Sequence, residues 1–312
     1  MGQSSARIER KGMTKLHTEE RLRIWEEEIC PRVFRNAQSS DSPSSIFIGA
    51  QPGAGKTRAV RRVRELIQDE NLIYINPDDY RRYHPDYMKL LEEKPLMMPA
   101  RTARASADWA RLSIQYAIRK QYSTIVESTW GNPDKILQQI EEAREANRQI
   151  MTVALAVPPA FSKLSILERY YRDFSDGQAG RWVSPEDHDT AVESLGESVE
   201  ALAECNDIDQ FMVIGRDGDP YYLGDSGSLF SSAWSASAHR DLTQDEASSI
   251  ARQTFELKKL VEEFDPDNQQ ALRAISDILM TPAILKLNAP KMPLGIKEQP
   301  RKPNGEFDFT YR

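Results

Sequence analysis

Cysteine is almost missing from this 312-residue chain: Cys30 and Cys205 stand far apart and show no Cys-x-x-Cys spacing. That excludes a disulfide framework and argues against a zinc site, and a reducing, cytoplasmic setting is the expectation that follows. Long apolar runs are missing too. Nowhere do eighteen apolar residues follow one another, and the start, MGQSSARIERKGMTKL, has no apolar centre of signal-peptide length, so neither a membrane span nor a secretory leader is expected. At position 6 of Met1-Gly2-Gln3-Ser4-Ser5-Ala6 an alanine stands where N-myristoylation wants serine or threonine, and the segment reads as an ordinary polar terminus. An excess of basic charge is the third absence. With 41 Lys and Arg against 48 Asp and Glu, the formal net charge is −7, which speaks against broad contact with a nucleic-acid backbone while leaving room for a local basic pocket.

What is present is 39% hydrophobic, enough for one large domain with extensions or for two small ones. Residues 18–34, TEERLRIWEEEICPRVF, set Leu22, Trp25, Ile29 and Val33 on one helical stripe that Pro31 bends or ends. The serine-rich NAQSSDSPSS after it is a linker in composition. From there strands at 46–49, 72–76, 123–127 and 150–157 alternate with helices at 56–69, 101–120, 133–147 and 160–174, with a proline-marked loop at 92–100. Strands separated by helices mean an α/β fold with a mainly parallel sheet covered on both faces. A helix at 185–204 opens on Ser184-Pro185-Glu186, and DQFMVIGRDGDPYYL reads as strand, Asp-Gly turn and strand. Beyond 225 the composition changes to the low-charge, serine-rich SGSLFSSAWSASAH, then helices at about 243–264 and 267–280 and a proline-rich end without expected regular structure. The expected organisation is an amphipathic, regulatory N-terminal segment (1–38), a core (39–225) and a helical extension with a proline-rich tail (226–312).

The segment IFIGAQPGAGKTRAVRRV runs from an apolar strand through a glycine-bearing turn, a lysine and a threonine into a helical pattern. Strand, GAGKT turn and helix are the context of a phosphate-binding loop: backbone N–H groups converge on an anion, the helix adds its positive end, and Lys56 adds a full charge. Gln51, Pro52, Gly53, Ala54, Gly55, Lys56 and Thr57 are therefore the candidate nucleotide cradle, with Thr57 the candidate Mg²⁺ ligand. The strict pattern has glycine where Ala50 stands, a position that needs a small side chain above all. In LIYINPDDYRRYHPDY, Asp78 and Asp79 fall at the carboxyl end of the second strand, where open parallel sheets bind ligands. Asp78 is the candidate for accepting a hydroxyl proton or orienting Mg²⁺. Asp79 reads as a helix cap, and His84-Pro85 as a turn former. The third strand ends in STIVESTWGN, where Glu127 and Thr129 alternate onto one side. The glutamate suits a metal-bound water or a sugar hydroxyl, the threonine a phosphate or a base. Arg169, Arg172 and Arg181 surround a glycine-containing loop, as arginines that neutralise a transferring phosphoryl group do. Arg172 alone fits a solvated helix face equally well, paired with Glu168.

Taken together, the loop QPGAGKT, the segment DDYRRYHP, the strand end IVEST and the spaced arginines ending in RWVSPEDHD resemble the zeta-toxin family, the kinase half of bacterial epsilon–zeta toxin–antitoxin pairs. The resemblance covers roughly residues 45–220. It implies a P-loop kinase fold that moves a phosphoryl group from ATP or GTP onto a sugar hydroxyl of a nucleotide sugar, typically UDP-N-acetylglucosamine, and an antitoxin that occludes the nucleotide site. By the resemblance Lys56 and Thr57 take the ATP and Mg²⁺ positions, Asp78 is the base, Glu127 and Thr129 face the acceptor, and Arg169 and Arg181 contact phosphate. Two positions depart from the family pattern. Its substrate-binding glutamate falls at Arg111, with Asp108 one turn earlier as a substitute, and one of its arginines falls at Gly131. Both departures lie on the acceptor side, so other nucleotides, dinucleotides included, stay open as acceptors. A nucleotide-gated protein-binding module and a polynucleotide kinase are the alternatives, the latter disfavoured by the acidic balance.

Overall fold

A computed structural model describes residues 16–67, 69, 71–94, 97–175 and 182–287, the side chains of 174 and 175 excepted; the proline-rich tail lies outside the described residues. Six strands form one sheet: β1 (Ser44–Gly49), β2 (Ile73–Ile75), β3 (Thr124–Ser128), β4 (Gln149–Leu155), β5 (Gln210–Ile214) and β6 (Pro220–Gly224). Their order is β2-β3-β1-β4-β5-β6. The first five are parallel and β6 closes the edge antiparallel to β5. Between the strands run α2 (Lys56–Ile67), the short α3 (Pro77–Tyr80), α4 (Tyr87–Glu93), α5 (Met98–Arg119), α6 (Pro133–Glu145), α7 (Pro159–Ser175) and α8 (Pro185–Ala203). The expected α/β architecture, a mainly parallel sheet flanked by helices, is the observed one.

Alternation along β1 divides the interior in two. Ile46 and Ile48 face one side, packed with Ala59 and Val63 of α2, and Phe47 faces the other among Trp109, Trp130 and Val199. Because β1 sits between β3 and β4, the chain leaves it first toward one edge and later returns toward the other, which opens a crevice at the carboxyl ends of the central strands. The opposite end is closed by Arg148. This fully buried side chain donates from Nε to Ser45 Oγ (2.6 Å) and from Nη2 to the carbonyls of Ser44 (2.7 Å) and Tyr122 (2.5 Å).

The N-terminal segment is docked on this body. α1 begins as Thr18–Ile24, widens into a π-helical turn, Trp25–Ile29, and ends as Cys30–Val33. The wide turn shifts the buried stripe to Ile24, Trp25 and Ile29, while Leu22 of the expected stripe is exposed. Trp25 Nε1 donates to Ser113 Oγ at 3.1 Å, and Trp109 Nε1 donates to the carbonyl of Arg21 at 2.8 Å.

After β6 the chain forms α9 (Gly227–Ala238), α10 (Gln244–Phe264), α11 (Gln269–Leu279) and α12 (Pro282–Leu285). The serine-rich stretch read without structure is α9: Phe230, Trp234 and Ala238 supply an i, i+4, i+8 stripe to the core beside β5, and Ser226 caps it. The change of composition at 225 therefore marks no gap in packing. α10, α11 and α12 build a separate apolar layer against α7.

Candidate active site

The turn between β1 and α2 is shaped by two glycines with positive φ, Gly53 (78°) and Gly55 (96°). At Gly53 a side chain is excluded outright, since an added Cβ would lie 2.2 Å from the carbonyl oxygen of Ser162. Ala50 is fully buried, its N–H directed to the Ser128 carbonyl at 3.3 Å, so its place tolerates only a small residue. Upstream, Gly49 lies under the indole of Trp130, which occupies the volume a Cβ would need. Trp130 is itself held at φ 49°, with Ser198 Oγ donating to its carbonyl at 2.7 Å. A bulky residue in the left-handed region beside a candidate site is strained backbone, and sequence reading missed it.

α2 opens on Lys-Thr-Arg with no acidic residue in its first turn, whereas α1, α6, α8 and α10 all carry Asp or Glu there. Its positive dipole end is thus left for an anion. Lys56 Nζ curls back over the turn, 3.3 Å from the Ala50 carbonyl and 3.4 Å from that of Gln51. Gln51 turns its side chain inward, donating to the Val157 carbonyl at 2.7 Å, so only its backbone is left to the cradle. Pro52 is half-buried, Ala54 buried, and Thr57 exposed on the first turn of α2.

Carboxylates approach from the neighbouring strands. Glu127, buried at the end of β3, accepts a hydrogen bond from Tyr74 Oη at 2.5 Å, and Asn76 Nδ2 donates to the same phenol oxygen at 3.1 Å. Burial pushes the Glu127 carboxyl up, against the pull of Lys56. Burial pulls the Lys56 ammonium down, countered by the charges of Glu127 and Asp78 and reinforced by Arg169. The four charged groups Lys56, Glu127, Asp78 and Arg169 therefore meet electrostatically at one place. Asp78 is half exposed and held by Arg81, whose Nε lies 2.7 Å from Oδ1 and whose guanidinium also donates to Pro99 O and Thr102 Oγ1. The cap of α3 is Asn76, not Asp79: its Oδ1 accepts from the Asp78 N–H at 2.9 Å, and Pro77 takes the first helical position.

The remaining candidates are spread out. Thr129 is half-buried just past β3. Asp108 is engaged by Arg21 Nε at 3.1 Å, so it ties α1 to α5. Arg111 is exposed. Arg181 lies outside the described residues. Among the described residues no three His, Cys, Asp or Glu side chains cluster as a metal site. A divalent ion would accordingly rest on Thr57 and on phosphate oxygens, the usual manner for Mg²⁺, and the glycine cradle and the open first turn of α2 fit that.

Two other features resemble sites. Ser162, His188 and Asp189 line up at 2.8 and 3.0 Å, but Ser162 and His188 are wholly buried and no substrate reaches them. Burial holds the His188 imidazole below its ordinary pKa, so the neutral ring accepts from Ser162 and donates to Asp189. Near the turn, a cleft of about 270 Å³ is lined by Arg58, Arg61 and Arg62 but equally by Glu65, Asp217 and Asp219, which leaves it without net attraction for an anion.

With this geometry in place, the sequence was set against known proteins. The zeta toxin family model matches residues 31–226, more than half of the chain. The chain belongs to the zeta toxin family. Toxin zeta of Streptococcus agalactiae is 26% identical over 215 residues, 67% of this chain and 71% of that protein. Toxin PezT of Streptococcus pneumoniae is 26% identical over 194 residues, 60% of this chain and 74% of the relative. A solved structure from the PezAT chromosomal toxin–antitoxin system of that pathogen superposes with a TM-score of 0.67 at 20% identity, covering 80% of this zeta toxin family member and all of the other chain, which supports the shared fold. Among the described residues no helix is long and apolar enough to cross a membrane.

Proposed function

We propose that this zeta toxin family member is a kinase that transfers the terminal phosphoryl group of ATP or GTP to a sugar hydroxyl of a nucleotide-type metabolite. A UDP-sugar such as UDP-N-acetylglucosamine is the first candidate, and the chain acts as the toxin of a toxin–antitoxin pair. One observation carries the reading: Lys56, Asp78, Glu127 and Arg169 converge at the carboxyl edge of the sheet, in front of a helix start whose cradle admits no side chain at Gly53.

The loop N–H groups and Lys56 hold the nucleotide's phosphates. The Asp78 carboxylate accepts the acceptor's hydroxyl proton as that oxygen forms a bond to the terminal phosphorus. The bond from phosphorus to the leaving nucleoside diphosphate breaks, and a phosphomonoester and a nucleoside diphosphate result. Arg169 and Lys56 neutralise the charge gathering on the transferred group. Arg81, paired with Asp78 and fixed on α5, keeps the base on the crevice side. Glu127, oriented by Tyr74, receives the acceptor's other hydroxyls. Mg²⁺, when bound at Thr57, supplies further charge neutralisation.

Asp108 is occupied by Arg21 and so is not free to replace the glutamate whose place Arg111 holds. That favours including dinucleotides among the acceptors tested. Incubation with γ-labelled ATP and a panel of UDP-sugars, nucleosides and nicotinamide dinucleotides, resolved by mass, is the test. Label on one small acceptor, lost in Asp78→Asn, is the expected result; label found only as free phosphate with every acceptor counts against the proposal.

A further inference from the structure

α7 has two working faces. Ser162, Ile166 and Arg169, at i, i+4 and i+7, lie along one of them. On that face Ser162 O and Ile166 Cγ1 sit 2.2 and 3.0 Å from the point where a Cβ on Gly53 would be, and one turn further on the charge of Arg169 acts on Lys56. The other face, Leu164, Leu167 and Tyr171, is buried in the apolar layer of α10 and α11. That layer lies beyond the residues the family model covers.

Polar pins fix this contact at a single connection. Tyr171 Oη donates to Asp265 Oδ2 at 3.0 Å, and Asn268 Nδ2 donates to the same carboxylate at 2.9 Å. Trp182 Nε1 donates to Gln270 Oε1 at 2.7 Å, its ring edge-on to Tyr170 with centroids 4.9 Å apart. Asp265, Asn268 and Gln270 all belong to the α10–α11 connection, which therefore grips the chain at 171 and again at 182. A layer that only supplied apolar burial would not need three hydrogen bonds converging on the end of α7 next to its arginine.

We infer that the α10–α11 connection is a positioning element of the active site: through Tyr171 and Trp182 it holds α7 so that Arg169 lies over the phosphate loop. This rests on the kinase reading for its catalytic consequence. It assigns Asp265, Asn268 and Gln270 no contact with substrate.

The test compares the full chain with Tyr171→Phe, Gln270→Ala and the pair combined, together with Gln270→Glu, which keeps an acceptor for Trp182. Gln270 is exposed, so its replacement leaves the core intact. Hydrogen exchange of the α7 amides at 166–173 is expected to rise about tenfold in the combined variant. Its kcat for phosphoryl transfer is expected to fall about ten- to a hundredfold, with KM for ATP unchanged and Gln270→Glu restoring the rate. Unaltered exchange at α7 overturns the grip. Faster exchange with unaltered kcat overturns the positioning role, as does an equal loss in KM. A wild-type chain that transfers phosphate to no acceptor sinks the kinase reading instead, and the exchange measurement still decides the grip.

Discussion

Two buried cations stand at opposite ends of the central strands, and they are held in opposite ways. At the amino ends Arg148 makes short hydrogen bonds, 2.5–2.7 Å, to two carbonyls and a hydroxyl, and burial alone pulls its guanidinium down to about 10. At the carboxyl ends Lys56 makes two long contacts, 3.3 and 3.4 Å, to carbonyls of its own loop, and is surrounded by the charges of Glu127, Asp78 and Arg169. Arg148 is saturated by neutral acceptors and joins the linker before β1 to the turn before β3. Lys56 is loosely seated in a field with charges of both signs. Short, complete bonding marks a cation that the fold needs, and long, replaceable contacts mark one kept ready for another partner.

The largest expected effect falls on the loose cation. Lys56→Met should lower phosphoryl transfer by on the order of a thousandfold while leaving the thermal midpoint unchanged or higher, because a buried charge has been removed; a large fall in that midpoint would erase the contrast. Arg148→Met should do the reverse. Loss of its bonds strands the Ser44 and Tyr122 carbonyls in the interior and costs about 3 kcal/mol or more, measured by urea unfolding, with the specific activity of the folded fraction kept. Gly53→Ala comes next: the clash with Ser162 O at 2.2 Å and the positive φ together should cost about 2 kcal/mol and weaken ATP binding, so it is a change at the carboxyl end that damages both fold and site. The smallest effect is a pH dependence at Glu127. Its folded pKa is raised, so the folded state holds the proton more tightly, and its contribution is fully present in acid and is lost as pH rises through the raised value. Thermal midpoints of wild type and Glu127→Gln should therefore converge at low pH, with the wild type falling behind as pH increases; a gap that narrows instead would contradict the burial of that carboxyl.

The sheet and the cradle were legible in the sequence because their signals are local. β1 is a short apolar run, the turn after it carries Gly53 and Gly55, and the helix after that is amphipathic. What escaped reading depends on distant partners. Arg148 follows a polar helix end and looks like any surface arginine, since its acceptors lie about a hundred and about twenty-six residues away. The Ser162–His188 pair and the seat of Trp130 on Gly49 are likewise set by packing between remote segments. Asn76 carried a usable signal that was passed over, an Asn-Pro pair at a strand end, which is a cap followed by the first helical residue. α9 was hidden by its serines, which are indifferent helix formers, although Phe230 and Trp234 stand one helical turn apart. Of the acceptor side, the charges at Asp78 and Glu127 were readable, whereas the capture of Asp108 by Arg21 followed from where α1 docks.

That docking passes through the π-helical turn, Trp25–Ile29. A segment wound this way holds one residue more than an α-ladder needs, so it is open to a specific genetic lesion: removing any one of Glu26, Glu27 or Glu28 would restore the regular winding. The register of everything after it would then swing by about 100°, carrying Ile29 out of the interior and Cys30 into a new setting. Single-codon deletions in this acidic triplet should therefore be far less tolerated than charge changes at the same three positions.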